Sequence, residues 1–216
     1  MRAIRRSIAL ASASANCICL SQTPGAAGNL TLNGANVSGG VGTMDAGGYA
    51  RPVLFTFAGN ETGKTYTVYG TILEGGNTVS EAVAGVNAST AKTVTHFLTV
   101  TRIANSAANA GAMTVGTDGY GSTKWIPLDR VPVPTNVGFA VEVARSSPAT
   151  WTFQYTWDDV QDPNLDPATT TTFADSTFTS KSTSLNGNII APCTAVRLQI
   201  ESGTSTTVLN VLQSGN

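Results

Sequence analysis

The sequence has little ionic charge. Of 216 residues, 12 are basic and 13 acidic, and charged side chains make up 12% of the chain against about 25% in ordinary soluble domains. A surface in which neither sign dominates gives no field to attract nucleic acid or an anionic membrane, so both are excluded as partners. Long apolar runs are missing too, and no stretch of about 18 residues reads as a bilayer span. Histidine occurs once, as His96, which leaves one imidazole for any nucleophile that needs a neighbouring base. Helical periodicity is almost absent. Glycine and proline, at 22 and 9 residues, stay near ordinary usage, so neither a collagen-like nor a disordered chain is indicated.

Cysteine is scarce and odd in number: Cys17, Cys19 and Cys193. An odd set makes a poor disulfide framework. A zinc site needs about four ligands, and only His96 could complete it. Buried, reduced thiols acting as small hydrophobes are expected, which fits assembly in a bacterial cytoplasm. No cofactor or metal is expected.

What is present is alternation. Residues 29–32, 53–57, 66–72, 96–103, 137–143, 151–157, 195–200 and 207–212 read as strands of β-branched and aromatic residues. Turn chemistry at Gly75-Gly76-Asn77, Asp118-Gly119 and Asn186-Gly187 separates them. The predicted fold is all-β, an antiparallel sandwich or jelly roll in two tandem modules, 21–127 and 128–216. The joint is placed at the proline-rich Pro127 to Pro134, where ladder donors are missing. A single twisted sandwich with a bulged middle is the alternative. Two segments, from Arg51 to Gly70 and from Ala195 to Leu212, resemble each other as strand, polar Gly-containing turn and second strand.

Residues 1–20 begin with Arg2, Arg5 and Arg6 and continue through alanine and serine. The segment is too poor in large apolar residues for an export signal, so an extended arm or strand held by a neighbour is expected. Those three arginines are the candidate contacts to a partner.

Motifs that suggest chemistry are weak. Gly59-Asn-Glu-Thr-Gly-Lys-Thr65 has three residues between its glycines where a phosphate loop needs four, and a strand follows where a helix should; a hairpin turn is expected. Gly119-Tyr-Gly-Ser122 lacks the second glycine of a nucleophile elbow. Asp158, Asp159, Asp162 and Asp166 crowd one loop without the spacing of a calcium loop. Trp151, Phe153, Tyr155 and Trp157 alternate, which puts four rings on one strand face. Core filling accounts for such a row, and a glycan-stacking surface is the rival explanation. No catalytic residues are assigned.

The runs GNLTLNGANVSGGVGTMDAGGYARPVLFTFAGNETGKTYTVYGT, FLTVTRIANSAANAGAMTVGTDGYGSTKWIPLD, NVGFAVEV and TFQYTWDDV resemble small all-β structural proteins of tailed bacteriophages, most closely head decoration or cement proteins. The resemblance implies an architecture and no site. It implies a non-enzymatic virion protein on the phage head that binds the major capsid protein and copies of itself as a homo-oligomer. The alternatives are a tail or neck component and, from another class, a carbohydrate-binding module.

Overall fold

The alternation seen in the sequence becomes burial on one face of each strand. Thr65–Thr71 alternates exposed or half-buried residues with buried Tyr66, Val68 and Gly70, and Val137–Val143 buries Val137, Phe139, Val141 and Val143. In the computed structural model, residues 2–73, 78–129, 136–144, 148–162, 165 and 169–213 are described. No α-helix occurs among them. The strands are β1 (Arg2–Ile8), β2 (Ser14–Gln22), β3 (Gly28–Asn29), β4 (Val37–Ser38), β5 (Val41–Thr43), β6 (Arg51–Phe57), β7 (Thr65–Thr71), β8 (Thr78–Ala84), β9 (Thr90–Phe97), β10 (Thr99–Asn105) and β11 (Met113–Thr117). After them come β12 (Gly121–Ser122), β13 (Ile126–Pro127), β14 (Val137–Val143), β15 (Thr150–Thr156), β16 (Phe173–Ala174), β17 (Leu185–Ile189), β18 (Ala195–Ser202) and β19 (Thr207–Gln213).

These strands form two compact units, Ala13–Tyr120 and Met1–Ser12 with Gly121–Asn216. The units are not simply successive, because the chain starts one, builds the whole of the other and returns. The division falls at residues 120 and 121, whereas the proline pattern suggested 127 and 128. Pro127 itself lies in β13, which pairs with β18, and residues 130–135 lie outside the described residues.

Within Ala13–Tyr120 one sheet has the order β2-β11-β6-β9 and the other β4-β5-β10-β7-β8, with β3 also on β10. Its core brings Phe55 and Phe57 from the first sheet against Tyr66 from the second, with ring centroids 5.6 and 4.9 Å apart. The second unit has sheets β1-β19-β14-β17 and β12-β18-β15-β16, with β13 also on β18. Phe139 and Phe153 stack between those two sheets at 3.9 Å.

The two units share one strand order. Where the first has β2, β11, β6 and β9, the second has β1, β19, β14 and β17; where it has β10, β7 and β8, the second has β18, β15 and β16. In each, the chain crosses between sheets in the same sequence, which is the jelly-roll connectivity of an antiparallel sandwich.

That topology corrects three sequence readings. Residues 58–64 are not a hairpin, because β6 and β7 belong to different sheets; they form an arch over the sandwich edge. The two look-alike segments are not equivalent repeats either: β6 and β7 correspond to β14 and β15, whereas Ala195 to Leu212 spans β18 and β19. They look alike because any strand–arch–strand passage needs a polar, glycine-containing bend between two apolar runs. Asn186-Gly187 is strand, not turn: Gly187 pairs with Phe139, and a Cβ there would overlap the Phe178 ring.

Candidate functional site

Four strands register across the sheet β1-β19-β14-β17, and the register fixes which side chains share a face. Ile4, Val211, Phe139 and Gly187 form a row toward the core, with Val211 and Phe139 buried. The next rows point outward: Ala3, Leu212, Gly138 and Asn188, then Arg5, Asn210, Ala140 and Asn186. On this outer face lies a trough of about 710 Å³, lined by those residues and the strand backbone between them. Its floor is Gly138 and Ala140 on β14, flanked by the carboxamides of β17 on one side and by Asn210 and Leu212 on the other. The walls stand two strand spacings apart, about 10 Å, and the two rows about 7 Å apart along the chain.

The polar groups of the trough are almost all uncharged. Asn210 Nδ2 donates to Glu142 Oε1 at 3.0 Å, and Arg5 stands exposed at the β1 end. Asn186 and Asn188 are exposed. Sequence reasoning had Arg5 but missed Gly138, Ala140, Asn186, Asn188 and Asn210, because the Asn186-Gly187 pair reads as a turn and the other residues make sense only once the register is known.

The three arginines expected on an arm belong to β1, which is paired along its length with β19 from Arg2↔Gln213 to Ile8↔Thr207. The strand alternative is therefore what forms over these residues. Arg5 and Arg6 are exposed, and Arg6 Nη1 donates to the Arg5 carbonyl at 3.2 Å. β1 ends the sheet order, so among the described residues its outer edge has no strand partner.

The aromatic row of β15 divides. Trp151 and Phe153 are buried to 0% and 1% exposure, and Trp151 Nε1 donates to the Thr183 carbonyl. Tyr155 is half-buried and Trp157 exposed at 56%. Phe173 on β16 continues them, 5.6 Å from Tyr155 and 4.7 Å from Trp157. Two of the four rings are thus core, and a platform of four does not form.

The aspartates organise their own loop. Asp158 Oδ2 accepts from Thr171 N at 2.6 Å, and Asp159 Oδ1 accepts from Gln161 N at 3.1 Å. Asp166 lies outside the described residues. Among the described residues no group of three or more potential metal ligands gathers. His96 sits half-buried on β9 opposite Pro52. Ser122 is buried in β12, in no strand-to-helix elbow.

All three cysteines are free, with Cys17 and Cys19 buried in one unit and Cys193 half-buried in the other. Burial pushes the Cys19 thiol up to about 12; neighbouring Cys17 adds to this, and a hydrogen bond with Gln22 opposes it. Burial alone raises Cys193 to about 11. Neither thiol has the lowered pKa of a reactive nucleophile.

The glycine loop holds a residue whose role the motif reading overlooked. Glu61 is fully buried. Its Oε1 accepts from the amides of Ala110 and Gly111 at 2.9 and 3.0 Å, and its Oε2 from Lys64 Nζ at 2.6 Å and Tyr66 Oη at 3.3 Å. Burial opposes ionisation, but the Lys64 and backbone hydrogen bonds outweigh it and hold the carboxyl below the usual glutamate range. The arch thus ties the end of one sheet to the loop before β11. It is a structural clamp.

Compared with known proteins, the chain matches no family model and no curated protein sequence.

Proposed function

We propose that this chain is a structural component of a bacteriophage virion, a head decoration protein that binds the major capsid protein and further copies of itself. The observation that carries the reading is the character of the surface. Val94, Ile190 and Trp157 expose 77, 74 and 56% of their area, on a chain with only 12 basic and 13 acidic side chains. Exposed apolar groups on a chain so poor in charge can be covered by a neighbour with little charge to strand. The open edge of β1 adds a second means of attachment, since an edge strand offers backbone donors and acceptors to a partner's strand. Arg5 and Arg6 bias that partner toward acidic ground.

The mechanism is mass action: a protein that binds only the assembled lattice stabilises it in proportion to RT ln(1 + [L]/Kd) per site. Quantifying the chain by mass spectrometry in purified particles tests the role. Hundreds of copies per particle, with heads lacking the protein losing DNA on heating, are expected. A few to a few dozen copies would move it to the tail or neck, and heads of unchanged endurance would refute the decoration role.

A further inference from the structure

Gly138 is the anomaly of the trough. Glycine inside a strand weakens it, and it is found where the strand bulges or where another backbone or a ligand approaches closely. Elsewhere in the long strands the reason is visible. A Cβ on Gly70 would collide with the Thr99 carbonyl, on Gly116 with the Ser14 carbonyl, and on Gly187 with the Phe178 ring. At Gly138 a Cβ would meet only Leu212, at the ordinary distances of 3.6 and 4.0 Å. Nor is there a bulge, since β14 pairs with β17 and β19 in unbroken register. Gly138 therefore leaves open a stretch of floor that a side chain would otherwise cover.

We propose that the outer face of β1-β19-β14-β17 is a binding site for a neutral oligosaccharide lying along β14 over Gly138 and Ala140. The lining selects this class. Carboxamides both donate and accept hydrogen bonds, as sugar hydroxyls do, and Asn186 and Asn188 face the trough from one wall while Asn210 faces it from the other. Leu212, Ala3 and Ala140 supply apolar contact for the C–H faces of a pyranose. Polyanions, whether nucleic acid, sulfated glycan or anionic lipid, would find Arg5 as the only cation among the lining residues, with the Glu142 carboxylate beside Asn210. A peptide strand laid on this face would find no backbone partners, because the ladder groups of all four strands point within the sheet. The site is separate from the Tyr155–Phe173–Trp157 rings and does not depend on the virion reading.

The test uses the full chain against an array of neutral oligosaccharides (gluco-, manno- and chito-oligomers) together with sialylated and sulfated ones, followed by calorimetric titration of the best neutral binder. The variants are Gly138→Ile, which fills the floor with a β-branched residue that suits a strand, the pair Asn186→Ala with Asn188→Ala, and Trp157→Ala. Binding to at least one neutral glycan is expected, weakened about tenfold or more in both trough variants and unchanged in Trp157→Ala, with unfolding midpoints showing that every variant is folded. Absence of any neutral binder, preference for the anionic glycans, wild-type affinity in the trough variants, or loss only in Trp157→Ala would each overturn the assignment.

Discussion

Removing the Glu61 carboxylate should expose what holds the β6–β7 arch. In Glu61→Ala the amides of Ala110 and Gly111 lose the oxygen they share, in a place the carboxylate occupies with no exposed surface. Each unsatisfied buried donor costs about 1–3 kcal/mol. Tyr66 Oη keeps Asn109 Oδ1 at 3.0 Å, and Lys64, at 19% exposure, can turn back to water, so neither adds much. The expected loss is about 3–5 kcal/mol, a large share of the stability of an ordinary domain. Glu61→Gln retains an acceptor where Oε1 now serves both amides, gives up the charge, and should lose about 1–2 kcal/mol. Urea unfolding followed by far-ultraviolet circular dichroism measures both. Tryptophan fluorescence would not serve, because Trp125, Trp151 and Trp157 all belong to the other unit. Hydrogen exchange should show the Ala110 and Gly111 amides losing protection in Glu61→Ala alone. Equal losses in the two variants, or less than about 1 kcal/mol in Glu61→Ala, would refute the argument that the acceptor, rather than the charge, secures the arch.

Acid should act through the same group. Its folded pKa lies below the ordinary value, so its contribution is complete above the unfolded glutamate range and disappears as pH falls through the folded pKa; the wild-type urea midpoint should drop there more steeply than that of Glu61→Gln, and parallel curves would count against it. Arg51 and Asp45 form an ion pair at 3.1 Å with both side chains 1% exposed, and Arg51→Ala should cost about 3–5 kcal/mol, much of it recovered when Asp45 is made apolar as well; no recovery in the double variant would show that packing, not stranded charge, dominates. Phe153→Ala removes the ring stacked on Phe139 and should cost about 3–5 kcal/mol, with a change in the emission of neighbouring Trp151; a loss below about 1 kcal/mol would mean that the site collapses freely. Cys17 and Cys19 should react with Ellman's reagent slowly in the native chain near pH 8 and rapidly in urea, and a fast native phase of more than one thiol, beyond what half-buried Cys193 supplies, would contradict their burial.

Strands with strong alternation were legible from residue chemistry. Alternation predicts Val137–Val143 with its observed bounds and places β6, β7, β15, β18 and β19 within two residues of theirs. It predicts one strand over residues 96–103, whereas the chain breaks at Leu98 between β9 and β10. Leu98 N donates to the Thr71 carbonyl, and its own carbonyl accepts from Met44 N, a local arrangement that leaves no mark on hydrophobic periodicity. β8, TVSEAVA, has a mostly exposed pattern, so it lacks the apolar signal that burial imprints. β17, LNGNI, was hidden by the same asparagines and glycine that line the trough or accommodate Phe178. Here the residues suited to a special surface and those suited to a turn are identical in kind, and only the register separates them. The pairing of Arg2 with Gln213 could not be read locally, since nothing in a heptapeptide names a partner so distant in the chain.

That pairing has a consequence for biosynthesis. On the ribosome, residues 2–8 are made roughly two hundred residues before their strand partner, and the whole of Ala13–Tyr120 has time to fold in between. Until then the nascent segment is an unclaimed strand bearing Arg2, Arg5 and Arg6, and its positive charge discourages two growing chains from pairing there by mistake. A ribosome that stalls before Thr207 would therefore release a polypeptide with one finished sandwich and a permanently vacant edge in the other, a species prone to capture by any strand that fits.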